Sequence, residues 1–231
     1  MRQPSSLKRA GQRQGSRRSP GKHNAILDAA TEIFLRNGFL GTSMDDVALQ
    51  SAVSKQTVYQ HFSSKEALFV EIVTTMTDAA GDAVLSAAPV LPDGGDVSEY
   101  LRTYAYRQLT SVLTPRVMQL RRLVIGEVGR FPELARVLYE RGPQRAIKAI
   151  ATAFEHLAER GLLVMDDAAL AASQFNWLVM SAPLNQAMLL GDAEIPKPPA
   201  LRRHVTDAVR LFLAAYGTGK RQRTRATSRS V

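Results

Sequence analysis

The amino-acid sequence predicts an all-α protein of nine to ten helices. Apolar residues recur at spacings of three and four along most of the 231 residues, and helix-capping residues stand before several of these stretches. No segment alternates between apolar and polar residues as a strand would. Hydrophobic residues make up 45% of the chain and charged residues 22%, which excludes a fibrous or fully disordered protein.

The predicted helices fall into two groups. The first group is expected at 24–37, 44–51, 55–61 and 64–80, and a loop at 88–96 that is rich in Pro and Gly follows it. The second group is expected at 97–113, 115–129, 132–140, 143–160, 167–190 and 200–216, with a linker at 194–199. Pro115, Pro132 and Pro143 stand at positions typical of a first helical turn.

Both ends of the chain are strongly basic. Residues 1–22 and 217–231 together hold twelve Lys and Arg and no acid, so the formal net charge of +9 leaves −3 on the rest. Such segments lack the apolar surface that folding needs, and we expect disordered tails at 1–21 and 217–231. The charge fits a polyanionic partner, and a purely solubilising role is the alternative.

Composition also limits location and chemistry. The absence of cysteine excludes disulfides, thiolate metal sites and a cysteine nucleophile. Residues 168–190 are numerous enough to cross a bilayer, but four amide side chains and Pro183 favour a buried helix, kinked at the proline. Because no apolar run follows the basic N-terminus, we expect no secretory signal, no membrane partner and a cytoplasmic protein.

Residues 42–62 carry the strongest functional pattern. They predict two short helices joined by a tight turn, with Val47, Ala48, Val53, Val58 and Phe62 facing inward. The second helix then exposes a hydrogen-bonding surface almost free of acids, which suits the major groove of DNA. A polar helix on an ordinary helical protein is the alternative. The predicted DNA contacts are Thr42, Ser43, Ser54, Lys55, Gln56, Thr57, Tyr59, Gln60, His61 and Lys65, of which Tyr59, His61 and Lys65 are directed at phosphates.

Five pieces of this region form a more specific signature. They are AILDAA at 25–30, IF at 33–34, NGF at 37–39, TSMDDVA at 42–48 and VSKQTVYQHFSSKEALF at 53–69. Together they closely resemble the DNA-binding domain of the TetR family of bacterial transcriptional regulators. The resemblance implies a helix-turn-helix domain at 22–82 and a helical ligand-binding and dimerisation domain at 83–216. It also implies a homodimer on a pseudo-palindromic DNA operator, most often a repressor released by a hydrophobic small molecule.

The resemblance places the dimer interface on the last two long helices, at 167–190 and 200–216. Their apolar surfaces exceed what one flank of a small core needs, although burial within one chain is the alternative. The interface candidates are Phe175, Leu178, Val179, Ala182, Val205, Val209 and Phe212. The identity of the effector cannot be read from the sequence, and candidates to line its pocket are Tyr100, Tyr104, Tyr106, Met118, Arg121, Arg122 and Tyr139.

Two features depart from the family pattern. Family members often have Gly in the turn where this chain has Ala52, and a positive φ there would strain Ala by roughly 1 kcal/mol. Residues 23–69 also hold three Lys or Arg against five acids. We therefore expect an N-terminal arm to supply attraction to DNA, by reaching a minor groove or flanking phosphates. The arm residues are Arg13, Arg17, Arg18 and Lys22.

Two other functions compete with the regulator. Against an enzyme, the four histidines are scattered, no phosphate-binding glycine loop is present, and Asp166-Asp167 fits a helix start better than a metal site. No catalytic activity, cofactor or metal is therefore expected. A protein that coats nucleic acid through its basic tails is the second alternative, and it predicts similar affinity for all sequences. A regulator instead binds its own site tighter by roughly 10³-fold or more.

Overall fold

The computed structural model describes residues 20–85 and 91–218, and the regular structure of these residues is helical. The α-helices are α1 (Pro20–Asn37), α2 (Met44–Gln50), α3 (Lys55–His61), α4 (Lys65–Leu85), α5 (Val97–Val112), α6 (Pro115–Gly126), α7 (Pro132–Tyr139), α8 (Arg145–Glu159), α9 (Ala168–Leu190) and α10 (Pro198–Tyr216). The predicted all-α class and the predicted number of helices are confirmed for the described residues. The extended pairing found among them is one isolated bridge between Leu163 and Gly217.

Several helices are longer than the sequence predicts. Helix α1 starts at Pro20, four residues early, and α4 continues to Leu85. Helix α10 starts at Pro198, inside the expected linker, because the fixed φ of proline suits the first turn of a helix. The proposed domain boundary after residue 82 lies within α4, so this boundary stays a prediction.

Pro143 differs from its predicted place at the start of a helix. It lies inside a π-helical turn, Glu140–Gln144, that joins α7 directly to α8. Proline has no N–H to give to the preceding turn, and its ring crowds the carbonyl four residues before it. A wider π turn accommodates both effects, and such turns are frequent at functional sites. The chain is therefore helical without interruption from Pro132 to Glu159.

Two hydrophobic clusters stabilise the fold. The first contains the inner faces of α1 to α4, with Phe34 and Phe69 stacked at 5.2 Å, and it continues into α6 and α7 through Leu120 and Leu134. The second lies among α5, α8, α9 and α10, around Phe175. Helices α4 and α6 contribute to both clusters, since Val84 and Met118 belong to the second, and they therefore join the N-terminal helices to the rest.

Helix α9 is the most apolar of the described helices. Eight of its residues are buried, among them Phe175, Asn176 and Pro183. It packs against α8 and α10, which explains its apolar character by burial within the protein. In the part of the chain that the structure describes, no helix combines the length and the apolar character needed to span a membrane.

Candidate nucleic-acid interface and ligand cavity

Helix α2 is anchored by a reciprocal cap. Ser43 precedes the helix, and its Oγ accepts a hydrogen bond from the main-chain N–H of Asp46 at 3.1 Å. The Asp46 carboxylate in turn accepts from the main-chain N–H of Ser43 at 3.3 Å. This capping box fixes the start of α2. It also engages Ser43, a predicted DNA contact that remains exposed.

The turn between α2 and α3 depends on one left-handed residue. Ala52 has φ +53°, and among the described residues it is the one non-glycine with positive φ. This positive φ is the geometry for which the sequence predicts strain at alanine. Ser54 follows as the cap of α3, and its Oγ accepts from the main-chain N–H of Thr57 at 3.1 Å.

Helix α3 presents its polar side to solvent. Val58 and Phe62 are buried against α1 and α4, as the sequence predicts, together with Val47 and Ala48, while Val53 is only partly buried. On the opposite side Tyr59 is 45% exposed. The exposed residues of this surface are Lys55, Gln56, Tyr59 and Gln60, and Thr57 and His61 are partly exposed. Six side chains able to form hydrogen bonds are thus carried on one short helix.

One acid approaches this surface. The Nζ of Lys55 lies 2.8 Å from a carboxylate oxygen of Asp45 on α2. The hydrogen bond and charge of Asp45 raise the pKa of Lys55, which keeps the ammonium charged. Both side chains are exposed, so water and salt screen the pair and Lys55 can exchange its partner for a phosphate.

Lys65 has a structural role, and the phosphate contact predicted for it stays a prediction. Its Nζ donates to the main-chain oxygens of Phe39 and Thr42, both at 2.9 Å, and lies 4.3 Å from the centre of the Phe39 ring. The prediction of Thr42 as a DNA contact does not fit the structure. Thr42 is 3% exposed, and its hydroxyl donates to the main-chain oxygen of Gly38. The ammonium therefore ties the start of α4 to the loop after α1.

His61 and His23 connect the end of α3 to α1. Their rings lie 5.8 Å apart, and the His23 ring stacks on Phe62 at 4.9 Å. The Nε2 of His23 is also 2.6 Å from a carboxylate oxygen of Glu71 on α4. Of the predicted arm, Lys22 lies exposed in the first turns of α1, whereas Arg13, Arg17 and Arg18 lie outside the described residues.

A cavity lies where the two hydrophobic clusters meet. It has a volume of about 60 Å³, and residues of α4, α5, α6 and α9 and of the π turn line it. Most of these residues are apolar, including Met76, Val84, Leu120 and Met180. A volume of this size holds a few waters or a small organic group, and a larger ligand requires the helices to move apart.

Polar side chains also line this cavity, among them Gln108, Asn176 and Arg121 besides Thr77 and Arg145. Gln108 Nε2 donates to Asn176 Oδ1 at 2.7 Å, and both residues are almost completely buried. Arg121 also lines the cavity, and burial lowers the pKa of its guanidinium. Gln108 and Asn176 were not predicted from the sequence to line a pocket. Gln108 could have been noticed, because it is a polar residue on the otherwise apolar face formed by Leu101, Tyr104, Ala105 and Leu109.

The other residues predicted to line a pocket lie elsewhere. Met118 and Tyr104 are buried in the helical core, and Tyr100 packs against it. Arg122 donates to the carboxylate of Asp192, and Tyr139 is 48% exposed on the surface. Tyr106 stacks under the guanidinium of Arg202 at 4.3 Å in an outer cleft. Of the seven residues predicted to line a pocket, Arg121 is therefore the one that lines this cavity. The packing of α4 and α9 decides which side chains face the cavity, and the sequence pattern does not reveal it.

Most of the predicted dimer residues are also used inside their own chain. Phe175, Val179, Val205, Val209 and Phe212 are buried in the second cluster, where Phe175 and Phe212 pack edge to face at 4.9 Å. A second subunit cannot contact them there, so their assignment to an interface is wrong. Leu178 remains partly exposed and Ala182 exposed.

No metal position emerges from the described ranges. Within residues 20–85 and 91–218, no three His, Asp or Glu side chains converge on a point that could hold an ion.

An exposed, acid-poor α3 held by α1, α2 and α4 is the arrangement of a helix-turn-helix DNA-binding domain. Family models agree with this class of protein. Residues 26–72 match the model of the tetR family of bacterial regulatory proteins, and residues 99–218 match the C-terminal domain of AefR-like transcriptional repressors. The chain belongs to the TetR family and is a transcriptional regulator.

The solved structures match this chain over most of its length, whereas the first curated relatives match less than half of it. A TetR-family regulator from Mesorhizobium loti is 35% identical with a TM-score of 0.80, over 86% of this chain and 98% of that one. The flavonoid-responsive regulator FrrA is 32% identical with a TM-score of 0.70, over 87% and 100%. The regulator YdeS of Bacillus subtilis is 34% identical over 105 residues, 45% of this chain and 48% of its own. The chain spans about half the length of the first curated relatives it matches.

Proposed function

We propose that this regulator is a ligand-responsive repressor that binds a pseudo-palindromic operator as a homodimer, on the nucleoid in the cytoplasm. The exposed polar surface of α3 carries this proposal. Gln56 and Gln60 are suited to read adenine in the major groove, while Lys55 is suited to guanine or phosphate. Repression follows because a dimer that covers a promoter blocks the access of polymerase.

The dimer is proposed to form through the outer sides of α9 and α10. These helices carry the exposed apolar residues Leu170 and Leu211, and Ala182 of α9 is also exposed. Exposed apolar side chains on two adjacent helices favour a partner surface. A two-fold axis through this face would place the two α3 helices on one side of the DNA, about 34–36 Å or a multiple apart.

The cavity is proposed as the effector site because it borders α4. This helix lines the cavity with six residues between Met76 and Leu85, and its first residue, Lys65, is bonded to the loop after α1. A ligand that needs more room than the cavity provides would push α4 and so change the spacing of the two α3 helices. Release of DNA requires that the ligand bind the released form more tightly.

A footprint of the full chain on the DNA upstream of its own gene tests the proposal. We expect a protected pseudo-palindrome, bound at least about 10³-fold more tightly than unrelated DNA at the same salt concentration. Equal affinity for all sequences would instead support a protein that coats nucleic acid.

Two substitutions on α3 separate base reading from phosphate contact. Gln56→Ala is expected to relax preference at one position of each half-site, with a loss of about 1–3 kcal/mol on the preferred base. Tyr59→Phe is expected to weaken binding to all sequences equally, because it removes one hydroxyl donor without changing the shape of α3. A change at a single base in Tyr59→Phe would contradict its phosphate role.

The proposed dimer face is tested by Ala182→Arg, with Val128→Arg as the matched control. Both positions are exposed, but Val128 lies between α6 and α7, away from the outer sides of α9 and α10. Light scattering after size exclusion should report a monomer for Ala182→Arg and a dimer for the control. A dimer in both variants would place the interface elsewhere.

A further inference from the structure

The cavity contains polar atoms that have no hydrogen-bond partner in the structure. They are Oε1 of Gln108, Nδ2 of Asn176 and Nε of Arg121, and each of these atoms is buried. Gln108 and Asn176 are 3% and 2% exposed, so solvent does not reach them from the surface. Buried polar groups in proteins are normally satisfied, which makes three such atoms around one cavity a sign of a missing partner.

The amide pair fixes which atoms remain available. The oxygen of Asn176 is already used, because it accepts from Gln108 Nε2. The amide group of Asn176 therefore offers its N–H donors to the cavity, next to the Nε–H donor of Arg121. Gln108 Oε1 is the one acceptor of the three and suits a hydroxyl or a water molecule.

Arg121 is partly buried and has no carboxylate partner among the described residues. Two other arginines nearby have carboxylate partners, since Arg145 pairs with Asp82 at 2.6 Å and Arg122 with Asp192. Among residues 20–85 and 91–218, no carboxylate forms an ion pair with Arg121. A guanidinium in an apolar cavity is unfavourable without an anion, and planar carboxylates match its geometry.

We propose that this cavity binds an amphipathic monocarboxylate, with the carboxylate held by Arg121 and Asn176 and the hydrocarbon part against α4 and α9. The inference rests on the proposed function and deepens it, because it names the chemical class of the effector. The apolar lining selects the hydrocarbon part, while the donors select the negative charge. The hydrocarbon part then meets Met76, Val84 and Met180.

Trp177 provides a direct measurement of binding. It is the single tryptophan of the chain and it lines the cavity, so a change in its fluorescence reports a ligand bound there. The purified full chain is titrated with butanoate, hexanoate and octanoate, and in parallel with the three corresponding primary amides. These pairs differ in charge but hardly in shape, and none of them absorbs where tryptophan does.

We expect at least one acid of the series to bind at least about ten-fold more tightly than its amide, the effect of a charge-assisted hydrogen bond in a buried site. This comparison uses the unaltered protein and needs no variant. If no acid binds more tightly than its amide, the proposal is overturned.

Substitutions then assign the preference to Arg121. In Arg121→Gln we expect the acid to lose about ten-fold or more in affinity and to bind no better than its amide. Arg121→Lys keeps the charge and should retain part of the preference. The matched control is Arg107→Gln on α5, which lines an outer cleft and should leave both affinities unchanged. A preserved preference in Arg121→Gln would overturn the assignment.

The unliganded protein gives an independent test. Because Arg121 has no ion-pair partner, Arg121→Leu should raise the midpoint of thermal unfolding and abolish the further rise caused by the acid. A lower midpoint would mean that the guanidinium supports the fold, and would contradict the proposal.

Operator binding distinguishes this inference from the proposed function. If the acid binds the cavity but leaves the affinity for DNA unchanged, the effector role fails while the specificity of the cavity stands. If the protein binds its operator but prefers no acid, the regulator stands and the present inference fails.

Discussion

The imidazole of His204 donates from Nε2 to the main-chain oxygen of Val179, 2.8 Å away. Pro183 lies four residues after Val179 within α9 and has no N–H, so this oxygen lacks its helical donor. Val179 is completely buried, where an unpaired carbonyl is unfavourable. Helix α10 thus completes the hydrogen bonding of α9 at its proline.

Removal of this donor should destabilise the protein only while the proline is present. We expect His204→Ala to lower the free energy of unfolding by about 1–2 kcal/mol. In a Pro183→Ala background residue 183 regains its N–H, and the same substitution should cost clearly less. Chemical denaturation of the four variants at one protein concentration measures the difference. Equal effects in both backgrounds would show that His204 stabilises α10 in some other way.

The left-handed Ala52 should be improved by glycine. Relief of the positive φ contributes about 1–2 kcal/mol, and the greater freedom of glycine in the unfolded chain offsets about 0.5–1 kcal/mol of it. We therefore expect Ala52→Gly to raise the free energy of unfolding by roughly 0.5–1 kcal/mol. Ala25→Gly, at an exposed position of α1, is the control and should lower it by a similar amount. Destabilisation by both substitutions would contradict the strain at Ala52.

Lys55 and Lys65 should respond to substitution in different ways. Lys65→Met leaves the main-chain oxygens of Phe39 and Thr42 without their donor and should lower the free energy of unfolding by about 1–3 kcal/mol. Lys55→Met should leave the free energy of unfolding nearly unchanged. It should reduce by about one the number of counterions released on DNA binding, which the salt dependence of the affinity measures. Titration of operator DNA over a range of salt concentrations makes the comparison. A reduced salt dependence in Lys65→Met would show that Lys65 also contacts a phosphate.

The carboxylate of Asp192 should make the free energy of unfolding depend on pH. Burial raises the pKa of Asp192, but hydrogen bonds from Arg122 and Gln119 outweigh burial and hold the pKa below its usual value. Its contribution is therefore present above the unfolded pKa of about 4 and is lost as the pH falls through the lower folded value. Asp192→Asn should lower the free energy of unfolding by about 0.5–1 kcal/mol at pH 7 and have little effect near pH 2. A constant difference across this range would exclude the charge as the cause.

The orientation of helix α3 could be predicted because the residues that fix it are close together in the sequence. Ser54, Val58 and Tyr59 lie within one short segment, so spacing alone assigns one to the cap, one to the core and one to the surface. The main-chain contacts of Lys65 could not be predicted, for the opposite reason. Its partners Phe39 and Thr42 are more than twenty residues away along the chain, and nothing in the local pattern brings them to its ammonium.

The sequence by itself determined the helical class, the positions of the helices to within a few residues and the family, since periodicity, caps and a contiguous signature are short-range properties. Tertiary packing decided the rest. It turned Phe175 and Val209 of α9 and α10 toward their own core, and it brought Gln108 and Asn176, 68 residues apart, to one cavity beside Arg121. The physical reason is that an apolar or polar helical face specifies burial or exposure but not which distant segment it meets.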